Sequence, residues 1–170
     1  ISLLAIIRQR KFQHIILLAV SYFFFYFSSN VLITLLIFST VLDFYVGKAI
    51  YNAKSRTRKK QLLVLSLAGN LGLLGIFKYA DFSIDQFNQF ANILGLSEIP
   101  LLHLVLPIGI SFYTFQTISY TVDIFRDKLK PSESLLEFAI FVSFFPQLVA
   151  GPILRAKDFL PQLREKIDNI

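Results

Sequence analysis

Apolar residues in this chain are grouped into long blocks, and five of these can be marked, over residues 12–29, 31–47, 61–80, 104–122 and 135–150. The first four run 17 to 20 residues, close to the roughly 20 that a helix needs to cross a ~30 Å hydrocarbon core. In lipid the backbone must satisfy its own donors and acceptors, which leaves helices and closed barrels. A barrel would show short alternating segments, and these blocks are continuous. The pattern therefore predicts an all-α, multi-span transmembrane helical bundle. Ser28-Ser29-Asn30 between the first two blocks predicts a tight helical hairpin.

Composition strengthens this reading. Hydrophobic residues make up 55% of the 170, charged residues 16%, and 19 are phenylalanine; soluble domains average about 45–50% apolar and about 25% charged. The formal charge of +6 does not point to nucleic acid, because the basic residues sit at block ends. Residues 48–60 carry Lys48, Lys54, Arg56, Arg58, Lys59 and Lys60 with no acid, whereas 81–102 carry Asp81, Asp85 and Glu98 with no Lys or Arg. Short basic loops stay on the cytoplasmic side. This places 48–60 and 123–134 in the cytoplasm and 81–102 outside, as expected of a multi-pass protein of the plasma (inner) membrane. The basic run also suits anionic lipid headgroups. The chain opens on the apolar stub Ile1–Ile7, which reads as the end of a preceding membrane helix in a longer protein.

The fifth block breaks the alternation. Arg126, Lys128 and Lys130 precede it, and Arg155, Lys157, Arg164 and Lys166 follow it, so both flanks are expected inside. Pro146 and Gly151-Pro152 interrupt it, and proline removes a backbone donor and clashes with the preceding turn. A re-entrant segment over 135–152 satisfies these facts; an ordinary crossing with a basic external tail is the alternative.

Polar residues at membrane depth are costly and mark candidate sites. Tyr113, Gln116, Tyr120 and Asp123 lie at helical spacing on one face. That face suits either interhelical packing or a cavity lining, with Asp123 alternatively capping the cytoplasmic end beside Arg126. Asn70, between Gly69 and Gly72, reads as packing glue where small residues allow helices to approach. Asp43 is expected to pair locally with Lys48, and Lys78 to snorkel outward. His14 and His103 have no carboxylate or second histidine at a useful spacing. With no cysteine and no paired carboxylates, no catalytic residue, metal site or bound cofactor is predicted.

Residues 106–126, Leu-Pro-Ile-Gly-Ile-Ser-Phe-Tyr-Thr-Phe-Gln-Thr-Ile-Ser-Tyr followed by Val122-Asp123-Ile124-Phe125-Arg126, closely resemble a signature of membrane-bound O-acyltransferases. Phe141 to Ile153, with Arg155, Asp158-Phe159-Leu160 and Pro161-Gln162-Leu163, resemble the segment that follows it. The likeness is greatest to the alginate O-acetylase branch, and Asp43–Lys48 and Phe77–Phe82 fit more loosely. The resemblance implies acyl transfer, usually of acetyl, from a cytosolic donor such as acetyl-CoA to hydroxyls of an exported polysaccharide such as alginate. It also implies partners: the lipid bilayer, the remainder of the same polypeptide, an extracytoplasmic acyltransferase and polysaccharide export proteins. The family's catalytic histidine lies in a Trp-His motif that has no match here, so the segment reads as an N-terminal part, inactive alone. Tyr113, Gln116, Tyr120, Asp123, Gln147, Gly151, Pro152 and Arg155 are then expected to line the donor entrance. A transporter fragment, which would carry an internal repeat, and a non-catalytic scaffold subunit of an export complex are the competing classes.

Overall fold

A computed structural model describes residues 10–105, 107, 109–144 and 155–164. Within them the chain forms six α-helices and no strand: α1 (Arg10–Ser29), α2 (Ile33–Asn52), α3 (Arg56–Ile93), α4 (Ile110–Phe125), α5 (Leu135–Ser143) and α6 (Ala156–Arg164). Local chemistry sets several boundaries. The Ser55 hydroxyl accepts from the Arg58 N–H and starts α3, and Ser134 accepts from the Glu137 N–H and starts α5; both satisfy N–H groups that a helix start leaves orphaned. Asn30, with φ of +51°, opens a single 3-10 turn between α1 and α2.

Two stretches, Lys11–Asn52 and Arg56–Ile93, are long and apolar enough to cross a membrane, yet only 17% of each most apolar window is buried. The core helix of a soluble protein would be mostly covered. Here Phe23 and Phe27 stand 70% and 85% exposed, an arrangement that water would penalise and hydrocarbon accepts. The chain is an all-helical membrane protein. The α4 and α5 helices have 16 and 9 residues and fall short of the length of a full crossing.

The path turns at Asn30. Lys48, late in α2, donates to the Glu133 carbonyl just before α5, while His14, early in α1, contacts the Leu163 carbonyl in α6, and α6 packs on α5. A straight helix would hold residues 14 and 48 about 50 Å apart, too far to reach one short helical pair.

Three expectations need correction. The third block does not stop at residue 80; α3 runs 38 residues to Ile93, about 57 Å, because no Gly or Pro interrupts it between Gly75 and Gly95. Its last third therefore extends into the region read as an extracytoplasmic loop, and the chain after Gly95 folds back along it. Asp81 accepts from the N–H groups of Leu102 and Leu104, and Asn88 bonds both backbone groups of Ile99. The fourth block does not begin helical at residue 104. The α4 helix starts at Ile110, after Gly109 at φ +76°; Pro107 and a left-handed glycine hold the preceding chain out of the helix. Of the two glycines flanking Asn70, only Gly69 makes a close approach, where a Cβ would lie 2.8 Å from Leu42 Cδ2.

The helices α2, α3 and α4 pack on one another, and α5 packs on α1 and α2. Phe138, fully buried in α5, joins the layers: its ring centroid lies 4.4 Å from Tyr120, 6.1 Å from Phe44 and 6.0 Å from Phe141. Gly47 sets the separation of α2 and α4, since a Cβ there would meet Tyr120 Cε1 at 2.8 Å and Ile124 Cδ1 at 3.0 Å. Gly47→Ala is expected to cost about 1–3 kcal/mol through overpacking. Gly72→Ala, with nothing within 4 Å, should be neutral or stabilising, because alanine is the better helix former. Unfolding midpoints of the two variants in detergent check the contrast; equal midpoints would contradict it.

Candidate functional site

The spacing on α4 places Tyr113, Gln116 and Tyr120 together in the protein interior, 2%, 1% and 0% exposed. Asp123, one turn further on, is partly exposed. The ion pair at this end joins Lys59 to Asp127 at 3.0 Å, and Asp123 contributes its backbone carbonyl to the Lys128 N–H. Each of the three buried residues does something different. Tyr120 packs its ring on Phe138, and its hydroxyl accepts from the Ser132 N–H at 3.0 Å, fixing the loop that leads into α5. Gln116 Nε2 donates to the Phe141 carbonyl at 2.8 Å. That carbonyl is among the last four of α5, which the helix cannot satisfy itself, so Gln116 serves as a cap supplied by a neighbouring helix. The Tyr113 hydroxyl and Gln116 Oε1 are buried with no hydrogen-bond partner among the described residues.

A second polar group was not anticipated from the sequence. Asp43 is fully buried on α2 and, among the described residues, forms no ion pair. The expected pairing with Lys48 is absent; Lys48 lies over the Phe44 ring at 4.2 Å and donates to Glu133. Asp43 instead receives Ser66 Oγ at 2.5 Å and Asn70 Nδ2 at 2.7 Å, both from α3. From α4, Thr117 Oγ1 donates to Asn70 Oδ1 at 3.3 Å, and Thr121 Oγ1 lies 3.2 Å from Ser66 Oγ. Asn70 thus acts as interhelical glue, with Asp43 as the group it holds. The available signal was the matched four-residue spacing of Ser66/Asn70 and Thr117/Thr121, which puts each pair on one helical face.

The remaining candidates are dispersed. Arg155 is exposed at the start of α6, where its carbonyl accepts from the N–H groups of Asp158 and Phe159. Gln147, Gly151 and Pro152 lie outside the described residues. Lys78 reaches Ser111 Oγ at 3.5 Å and lies over the Tyr79 ring. His14 Nε2 is 3.3 Å from the Leu163 carbonyl, while His103 lines an open cleft with Asp85 and Glu98 outside the helical core. No group of three or more metal-binding side chains occurs among the described residues. Leu129 to Glu133 and the α6 residues Ala156, Lys157, Leu160 and Pro161 line a second cleft of about 400 Å³.

If Gln116 caps α5, Gln116→Leu should lower stability by about 1–3 kcal/mol, because the Phe141 carbonyl loses its donor inside the core. Ser119→Ala is the control; its hydroxyl bonds only the Gln116 carbonyl within α4, and the change should stay within about 0.5 kcal/mol. Denaturant titration of the two variants tests this, and equal losses would remove the capping role.

Comparison with known proteins agrees with the signature on α4. The chain is 38% identical to the probable alginate O-acetylase AlgI of Pseudomonas aeruginosa over 94% of its own length and 31% of that protein. It is 37% identical to the corresponding Pseudomonas putida protein over 95% of its length and 33% of the relative. It is also 35% identical to a peptidoglycan O-acetyltransferase of Helicobacter pylori, over 78% of this chain and 29% of that protein. No protein-family profile matches the chain, and no solved structure is significantly similar. The chain spans about a third of the length of the curated relatives it matches. Over that span it is similar to proteins named as alginate and peptidoglycan O-acetylases, which are of the membrane-bound O-acyltransferase type.

Proposed function

We propose that the polypeptide carrying this segment transfers acetyl groups from a cytosolic donor, acetyl-CoA, to hydroxyls of an exported polysaccharide. The observation that carries the reading is 35–38% identity, over most of this chain, to proteins named as O-acetylases. Because those names cover alginate and peptidoglycan, the acceptor is defined here as a hydroxyl-bearing glycan outside the cytoplasm. In this reading the segment is the N-terminal part of the protein in the inner membrane, with about five apolar segments. Residues 48–60 and 123–134 are cytoplasmic, and 81–102 face outward. The remainder of the polypeptide supplies the base, and extracytoplasmic acyltransferase and export proteins complete the system.

Within this scheme α4 and the fifth block form the donor-side wall. The second cleft supports a re-entrant fifth block, since residues from both its flanks, 129–133 and 156–161, line the same space, as two ends on one side of a membrane would. Lys130 and Lys157 in that cleft suit the phosphates of a coenzyme A thioester.

Two measurements test the proposal. Lys54→Cys and Ser97→Cys in this cysteine-free segment report sidedness: an impermeant maleimide added to intact cells should label position 97 and spare 54, and the reverse result overturns the orientation. For activity, the full-length protein should restore ester-bound acetate to the polysaccharide of a strain lacking its own O-acetylase. His14→Ala and His103→Ala should stay within a few-fold of wild type per folded protein, because loss of a general base costs about 10²–10⁴-fold. No acetate at normal membrane abundance would refute the function. A hundredfold loss in either histidine variant would place the base inside this segment.

A further inference from the structure

The α3 helix carries one exposed apolar stripe along most of its length. Val64, Leu71 and Ile76 lie on the same broad side as Phe82, Phe90 and Ile93, and these six are 45–81% exposed. From Val64 to Ile93 the helix rises about 44 Å. A tilt of about 20°, the average for membrane helices, shortens this only to about 41 Å, whereas hydrocarbon is about 30 Å thick. The basic residues Arg56, Arg58, Lys59 and Lys60 hold the start of α3 at the cytoplasmic headgroups, and no Gly or Pro interrupts it between Gly75 and Gly95. The excess therefore falls at the far end, where Phe90 and Ile93 stand more than about 10 Å beyond the hydrocarbon. The polar side of that end is already covered by the chain that follows. Asp81 accepts from the Leu102 and Leu104 N–H groups, Asn88 bonds Ile99, and Asn92 donates to Glu98 at 2.7 Å. A helix end in water usually turns the other way, with its apolar side against the protein, so the bare side here marks a binding face. Next to it lies the cleft of about 630 Å³ lined by Asp85, Gln89, Asn92, Glu98 and His103. Gln89 donates to Asp85 and Asn92 to Glu98, which leaves the cleft rich in acceptor oxygens, and residues 81–102 contain no Lys or Arg.

We propose that the far end of α3, with the chain that folds back along it, is the docking surface for a separate extracytoplasmic protein. That partner sets an apolar patch on Phe82, Phe90 and Ile93 and places Lys or Arg side chains in the cleft of Asp85 and Glu98. The inference rests on the orientation proposed above, which puts residues 81–102 outside. Both halves of the surface are needed to choose the occupant. Lipid does not reach the last turns of α3, and it does not match an acidic cleft. A glycan would fill the cleft and leave the phenylalanines bare. A second copy of this chain would set Asp85 and Glu98 against their like, and such a juxtaposition opposes association. The remaining polypeptide, in the membrane on the reading above, keeps Lys and Arg out of its short outer loops, whereas a separately folded outer domain is free of that rule. An apolar core rimmed by complementary charge is the usual make-up of a protein–protein interface.

The test places the photo-crosslinker p-benzoylphenylalanine at Phe90 of the full-length protein in its own cells, with Phe23 on α1 as the lipid-facing control. Irradiation should join position 90, and not position 23, to a second polypeptide that peptide mapping shows to be a different protein. Asp85→Lys with Glu98→Lys should lower the yield of that adduct about tenfold or more at unchanged membrane abundance, because the charges that steer the encounter are reversed. The neutral pair Asp85→Asn with Glu98→Gln should give an intermediate loss, and it decides the matter if charge reversal lowers the melting temperature of the purified protein. Raised salt should weaken the adduct in the wild type, since exposed charges are screened. An adduct that ignores both pairs of substitutions overturns the inference. So does a lipid adduct, a link within the same polypeptide, a link to a second copy, or no adduct at position 90. Each of these leaves the acetyl-transfer reading intact, because that reading is measured separately as ester-bound acetate. If position 97 is not labelled from outside, the orientation fails and this inference with it.

Discussion

A carboxyl group inside an apolar bundle has to be met by donors from the elements around it, and Asp43 imposes that requirement on three helices. It is fully buried, so leaving it unmatched would cost several kcal/mol. Ser66 and Asn70 meet it from α3, and Thr117 and Thr121 meet those two from α4. Such bonds are directional, whereas aliphatic contacts between helices in lipid are not, so the network fixes the rotation of α3 and α4 about their axes. Gly47, one turn after Asp43 on the same helix, lets the Tyr120 ring come against the α2 backbone. The directional contact and the close approach act together.

With the rotation of α4 set, its adjacent stripe is presented to α5. A nine-residue helix is too short to persist alone. The α5 helix is held at its start by Ser134 and the Ser132–Tyr120 bond, through its middle by Phe138, and at its end by Gln116. The result is a short helix fastened to a polar face, beside a cleft that Lys130 and Lys157 line. The exposed phenylalanines of α1 meet lipid on the outside. The segment thus separates an exposed apolar perimeter from a polar interior.

Much of this was legible in the sequence. Block length gave the helical membrane character, and the spacing of 113, 116 and 120 gave their shared burial, because helical periodicity is a local property. Ser55 and Ser134 also announce their helices locally. The Asp43 network was not legible. The other members lie 23 to 78 residues from Asp43, and a lysine five positions away offered a nearer but incorrect partner. The α3 helix outruns the apolar block because a helix ends where its backbone is interrupted, here at Gly95, and not where hydropathy falls. The start of α4 was misplaced for the converse reason: the run before it is apolar, but Pro107 and Gly109 set its backbone conformation.

The most direct test of this account is a double-mutant cycle between Asp43 and Asn70, read as unfolding free energy in detergent for Asp43→Leu, Asn70→Leu and the pair. If the carboxyl and the amide hold the bundle through each other, each single change strands a buried polar partner. The double variant should then be more stable than the sum of the two losses allows, by about 1–3 kcal/mol. Losses that simply add, within about 0.5 kcal/mol, would mean that Asp43 does not organise the three helices, and the basis for the orientation of α4 would have to lie elsewhere.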